Sequence, residues 1–191
     1  MEKIDIIKSI SERTGGDIYL GVVGAVRTGK STFIKKFIEN LVVPNIEDEY
    51  ERKRCLDEIP QTAQGKTIMT IEPKFVPSTA AKIKVEEFET NIKLVDCVGY
   101  VIPAAKGYED EMGEPRMVKT PWYDEDIPFV EAAEIGTEKV IRDHSTIGIV
   151  VTTDGSIGDI TRNNYIEAEN EVINELKEIG KPFIVLLNSA H

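Results

Sequence analysis

Residues 24–31, Gly24-Ala25-Val26-Arg27-Thr28-Gly29-Lys30-Ser31, leave this chain few folds to choose from. The spacing G-x-x-x-x-G-K-S works only where a strand delivers the chain to a point and a helix carries it away. That pairing aims successive backbone N–H groups at a phosphate, and the glycines let the backbone approach it. The helix also turns its positive end toward the anion. Lys30 is placed to reach β- and γ-phosphates, and the Ser31 hydroxyl to ligate Mg²⁺. A chance strand–helix turn would match the spacing without the flanks. Both flanks are present: Ile18-Tyr19-Leu20-Gly21-Val22-Val23 before, and an amphipathic pattern from Ser31 to Leu41 after. The expected nucleotide contacts are Gly24, Ala25, Val26, Arg27, Thr28, Gly29, Lys30, Ser31 and Thr32.

The rest of the chain alternates strand and helix patterns, the signature of a parallel α/β sheet. Residues 2–13 read as a short amphipathic helix on Ile4, Ile7 and Ile10, a packing helix or an assembly arm, ended by Thr14-Gly15-Gly16. Residues 17–23 are a central strand, apolar on both faces. The helix of residues 30–41 buries Phe33, Ile34, Phe37, Ile38 and Leu41, and Pro44 ends it. The acidic stretch 44–66 reads as a solvated face without metal-ligand spacing. Strands are expected at 73–76, 82–88 and 92–98, with the alternating 82–88 suited to an edge. Residues 100–128 are long and irregular; Trp122 and Tyr123 are expected to anchor them to the body rather than form a contact surface. A helix at 129–142, a strand at 146–151, a helix at 164–179 burying Ile166, and a last strand at 183–187 complete the pattern. The turn Thr152-Thr153-Asp154-Gly155-Ser156 reads equally as a ligand loop or a polar turn.

Two further positions belong with the phosphate loop. Asp96 closes an apolar strand, where a carboxylate needs a partner. Mg²⁺ beside Ser31 is the expected one, and Asp96-Cys97-Val98-Gly99 then brings the Gly99 N–H to the γ-phosphate. In residues 61–72, threonines ahead of a strand suit a switch that senses Mg²⁺ and γ-phosphate. Thr70 is the preferred residue and Thr67 the alternative. The expected catalytic set is Lys30, Asp96 and Thr70; the expected metal set is Ser31, Thr70 and Asp96.

Composition excludes several classes. The formal net charge of −11 in 191 residues disfavours nucleic acid and anionic membrane as direct partners, since both need basic surface. Two cysteines, Cys55 and Cys97, give no disulfide or zinc framework and fit a reducing cytosol. The N-terminus lacks a signal-peptide pattern, because charges interrupt its isoleucines. His144 and His191 suggest no metal or acid–base site.

The loop, switch threonine, D-x-x-G and β–α alternation together resemble the translation-factor-related class of P-loop NTPases. That implies a Ras-like three-layer α/β/α fold, with a mostly parallel sheet and one antiparallel edge strand. Two departures matter. The family's base motif N-K-x-D becomes Asn188-Ser189-Ala190-His191, so Asn188 is kept but the carboxylate that pairs with guanine is lost. Guanine specificity should go with it, leaving ATP as the expected substrate. The residue after D-x-x-G is Tyr100 rather than a water-orienting glutamine, which predicts slow intrinsic turnover.

Within that class the chain is similar to the stage IV sporulation protein A family of spore-coat ATPases. The likeness is carried by the loop with Arg27, by Gly65 to Pro77, by Val95 to Tyr100 and by Leu186-Leu187-Asn188-Ser189. It implies ATP hydrolysis with Mg²⁺ coupled to self-association on the forespore surface, in the mother-cell cytoplasm. It also implies spore coat proteins and a small membrane-bound amphipathic peptide as partners, through regions beyond this chain. Residues 1–16 would be a helical arm and 17–191 the ATPase domain, cut after its base motif. A GTPase switch and a small-molecule P-loop kinase are the rival readings.

Overall fold

The structure is a computed structural model that describes residues 16–59, 71–85, 88–110 and 112–191. The expected N-terminal helix at 2–13, Thr67 and Thr70 lie outside the described residues.

Five strands form one sheet: β1 (Asp17–Val23), β2 (Lys74–Val85), β3 (Phe88–Asp96), β6 (Ile147–Thr153) and β7 (Phe183–Asn188). Their order is β2-β3-β1-β6-β7. β1 pairs in parallel with β3 and β6, β6 pairs in parallel with β7, and β2 alone runs antiparallel, at the edge. The carboxyl ends of four parallel strands therefore point one way, which is where open α/β sheets bind ligands.

Alternation along β1 divides the core. Ile18, Leu20 and Val22 face the helices α1 (Lys30–Phe37) and α2 (Glu49–Asp57), joining Ile34, Ile38 and Cys55. Val23 faces the other side, where α3 (Phe129–Arg142) and α4 (Ile166–Glu178) supply Val140, Ile141, Val172 and Leu176. The expected three-layer α/β/α sandwich is what the chain forms. Gly21 keeps β1 narrow at this face, since a Cβ there would lie 2.6 Å from the Ser145 Cβ.

Several local expectations are corrected. The first helix does not stop at residue 41: a π-helical turn (Ile38–Val42) and a 3₁₀ turn (Val43–Asn45) follow it. A π turn holds one residue more than an α turn, so the inward position passes from Leu41, 53% exposed, to Val42, fully buried. Pro44 does not end the helical stretch; it sits in the first turn of the 3₁₀ segment, where no N–H is needed. The acidic stretch after it, read as a solvated face, also holds a helix. Asp48 accepts a hydrogen bond from the Glu51 N–H at 2.7 Å and starts α2 as its N-cap. The two strands expected at 73–76 and 82–88 are one, with its register broken between Val76 and Ala81. β3 starts at Phe88 and stops at Asp96, rather than spanning 92–98. Ile166, expected inside, is exposed at the start of α4, because α4 turns Ala168, Val172 and Leu176 inward.

The segment 100–128 carries a small antiparallel pair, β4 (Met117–Val118) and β5 (Ile127–Pro128). Trp122 packs beside Phe129 and Ala133, anchoring the segment as expected, while Tyr123 is exposed. Gly136, a weak point for helix propensity, is where this packing needs room. A Cβ there would lie 3.1 Å from the Ile71 carbonyl oxygen and 3.3 Å from the Trp122 ring.

Candidate nucleotide site

The loop from Gly24 to Gly29 leaves β1 at its carboxyl end and enters α1. Gly24 has φ 134°, and a Cβ there would stand 2.3 Å from the Val151 carbonyl oxygen, so β6 presses directly on the loop. Gly29 has φ 95° and is the N-cap of α1, with no side chain capping the helix. The first-turn N–H groups are thus left for an external anion. Ser31 is half-buried and Thr32 exposed on that first turn.

Lys30 is 5% exposed and folds back across the loop. Its Nζ donates to the Ala25 carbonyl at 2.7 Å and to the Gly24 carbonyl at 3.3 Å. Burial lowers its pKa, while the nearby Cys97 and Asp96 act the other way. Asp96, at the end of β3, accepts a hydrogen bond from the Ser31 hydroxyl on Oδ2 at 3.1 Å. Its Oδ1 is buried and has no hydrogen-bond partner among the described residues. Burial raises its pKa, against the pull of Lys30 and Ser31. A buried carboxylate oxygen left free beside a serine hydroxyl suits a hard cation or its bound water. Among the described residues no three His, Cys, Asp or Glu gather as a metal site. An ion held by Ser31 and Asp96 would take further ligands from water and substrate oxygens, as Mg²⁺ does.

Gly99 closes the site from the β3 side. With φ 88°, its missing Cβ would lie 2.1 Å from the Gly24 carbonyl oxygen and 2.4 Å from Lys30 Nζ. Only glycine fits between lysine and loop. Tyr100 continues the contact: its N–H donates to the Gly24 carbonyl at 3.2 Å, and its carbonyl accepts from the Val26 N–H at 2.9 Å. The structure thus brings Lys30, Ser31, Asp96 and Gly99 together around one loop.

A model of the family described as stage IV sporulation protein A, ATPase domain, matches residues 1–191. The chain belongs to that family. It is 70% identical to stage IV sporulation protein A of Bacillus anthracis over 190 residues, 99% of this chain and 38% of that protein. The Bacillus subtilis protein gives the same identity and coverage, and the Clostridioides difficile protein is 58% identical over 186 residues. The chain thus spans 38% of the length of these relatives. Among solved structures, a dimerization-deficient mutant of Toc33 from Arabidopsis thaliana aligns with 98% of this chain and 78% of that one, at 11% identity and a TM-score of 0.41. Membership makes this a nucleotide hydrolase domain of a sporulation protein.

The base-motif end of this family member is also built into the loop. Asn188 Nδ2 donates to the Thr28 carbonyl at 3.0 Å, and a Cβ on Gly29 would meet that nitrogen at 2.4 Å. The turn at 152–156, left open by sequence, joins the same region. The Asp154 carboxylate accepts from the Ser189 hydroxyl at 2.7 Å and from the Ser156 N–H at 2.9 Å. The Ser156 hydroxyl, which also donates to this carboxylate at 2.5 Å, is the main cause, with the Ser189 hydroxyl and Ser156 N–H bonds behind it, of an Asp154 pKa lowered to about 2. Ser189 stands where the class motif has lysine, and here it ties the last strand to that turn. Sequence reasoning missed this network, because Asp154 and Ser189 lie far apart in the chain and no motif pairs the one with the other. Cys97 is buried under the site, and burial pushes its thiol up to about 11, so it acts as a packing group.

Proposed function

We propose that this chain binds and hydrolyses ATP with Mg²⁺, and that the nucleotide state drives self-assembly of the longer protein into the basement layer of the spore coat. The observation that carries the hydrolytic part is the Ser31–Asp96 pair beside buried Lys30, with an Asp96 oxygen that has no partner among the described residues. Mg²⁺, when bound there, would neutralise charge on the phosphates. Lys30 and the first-turn N–H groups would hold those phosphates, and Gly99 would bring a backbone N–H to the terminal one.

Base choice follows from what the last strand lacks. Guanine needs a carboxylate for its N1–H and 2-amino groups, and the motif carries His191 where the class has aspartate. Adenine has neither group, so it loses nothing by that change. Slow turnover fits the same picture: the Tyr100 hydroxyl donates to Glu175 on α4 at 3.0 Å and has no glutamine-like freedom to hold a water. Thr70 remains our proposed switch residue. Coat proteins and a membrane-bound amphipathic peptide would meet the longer protein outside this chain. Its setting would be the mother-cell cytoplasm at the forespore; no helix among the described residues is long and apolar enough to cross a membrane.

The test is hydrolysis of ATP and GTP side by side by the purified chain. We expect kcat/KM for ATP to exceed that for GTP by about tenfold or more, and Lys30→Ala to abolish both. Preference for GTP would sink the ATP assignment; unchanged hydrolysis by Lys30→Ala would sink the site.

A further inference from the structure

We propose that Arg27 is an arginine finger supplied in cis: its guanidinium touches the terminal phosphate of the bound triphosphate and stabilises the charge that develops there. This rests on the nucleotide-hydrolase reading above and adds to it a side chain where only loop backbone was assigned.

The backbone at Arg27 has φ 62°, the only positive φ outside glycine among the described residues. A Cβ in that conformation crowds its own carbonyl, so glycine would sit there without strain. Strain of this kind persists where a side chain has a task at that point. Packing does not supply the task. Val26 and Thr28 on either side are buried, whereas Arg27 is exposed. Arg162 is held in a two-pronged pair with Glu169, and Arg142 pairs with Glu138 and Glu175. Arg27 makes no such bond among the described residues. The Tyr165 phenol, just before α4, feels its charge. A guanidinium with no bond among the described residues is thus held at the rim of an anion cradle by a backbone that resists holding it.

Another described cation of the site already faces its acid: Lys74 stands opposite Asp96 in the β2–β3 register and acts on its carboxylate. Lys30 is spent partly on the Ala25 and Gly24 carbonyls, and the Asp96 carboxylate stands next to it. The whole chain carries −11. Tyr100, in the position that orients water in related enzymes, has its hydroxyl tied to Glu175. In hydrolysis the water oxygen bonds to the γ-phosphorus, and the bond from that phosphorus to the β–γ bridging oxygen breaks. The electron pair stays on the departing diphosphate, and the water proton ends on the released phosphate. Arg27 stays protonated throughout. Its forked N–H donors match phosphoryl oxygens, where the charge is spread during transfer.

The experiment compares wild type, Arg27→Gly and Arg27→Lys in three measurements. These are the thermal midpoint without nucleotide, the calorimetric affinity for ADP, and the affinity for ADP with aluminium fluoride and Mg²⁺, a mimic of the transferring phosphoryl group. Arg27→Gly should bind ADP within about twofold of wild type and the mimic about tenfold or more weakly, with hydrolysis reduced about 10³-fold. Its thermal midpoint should rise by about 2 °C as the backbone strain is relieved. Arg27→Lys should keep the wild-type midpoint and recover the mimic only in part, since it has charge without the fork. Equal weakening of ADP and mimic, a lowered midpoint in Arg27→Gly, or wild-type hydrolysis by that variant would each overturn the proposal alone. A wild-type chain that hydrolyses no triphosphate would overturn the hydrolase reading as well.

Discussion

Tyr100 shows what a single residue adds to a motif. Its main chain extends the β1–β3 pairing beyond both glycines, while its ring reaches the opposite layer of the sandwich and donates to Glu175. Burial, then the charge of Glu175, pushes the phenol well above its ordinary pKa, so it stays a neutral donor. Tyr100→Phe should lower stability by about 1 kcal/mol, the net value of one such bond. Hydrolysis per folded molecule should stay within about twofold, because the hydroxyl points away from the cradle. Urea unfolding and a steady-state assay check the two halves; a large loss of rate at unchanged stability would place the hydroxyl in the chemistry. That Lys30, Ser31, Asp96 and Gly99 would meet around one loop was legible in the sequence, because G-x-x-x-x-G-K-S and D-x-x-G each follow an apolar strand. The Tyr100–Glu175 bond was not, since it joins residues whose distance in sequence follows no motif.

Elements were legible where one period ruled them, and less so where a second device intervened. The α3 boundaries at 129 and 142 match the helical apolar pattern to the residue. The first helix misled at Leu41 because a π turn shifts the apolar stripe by one place, which no 3.6-residue period anticipates. α2 was hidden by its acids; the signal was Asp48 followed by Glu51, a capping pattern rather than an apolar one. α4 owes its position partly to Glu169, which takes two bonds from Arg162 and one from the Thr152 hydroxyl. Arg162 holds the Glu169 carboxyl below its usual range. The ionised form is therefore favoured in the folded state. The pair contributes above about pH 4.3, the ordinary glutamate value, and is lost as pH falls through the lower folded pKa. Solvent reaches the pair and limits its worth. In urea unfolding, Arg162→Met should be less stable than wild type at pH 7, and the gap should narrow below about pH 4. A gap that is constant with pH would mean that packing, not charge, holds α4 here.

At the scale of the whole molecule, the two rims of the sheet are unlike each other. The β2 rim carries Lys82 and Lys84, Pro77 and a break in register, devices that discourage a further strand. The β7 rim has none of these: Ile184, Val185 and Leu187 are exposed along it, and Leu187 is 61% exposed. What remains to keep two copies apart is mutual repulsion between bodies of charge −11. That repulsion reaches about 30 Å in 0.01 M salt but only about 8 Å at 0.15 M. The purified domain should therefore stay monodisperse in dilute buffer and begin to associate as salt rises, with Leu187→Lys preventing it. Light scattering across a salt series reads this directly; association that weakens with salt would point to ionic contacts instead. In practical terms β7 makes the domain a charge-stabilised colloid, whose shelf life is set by the ionic strength of its buffer as much as by its folding free energy.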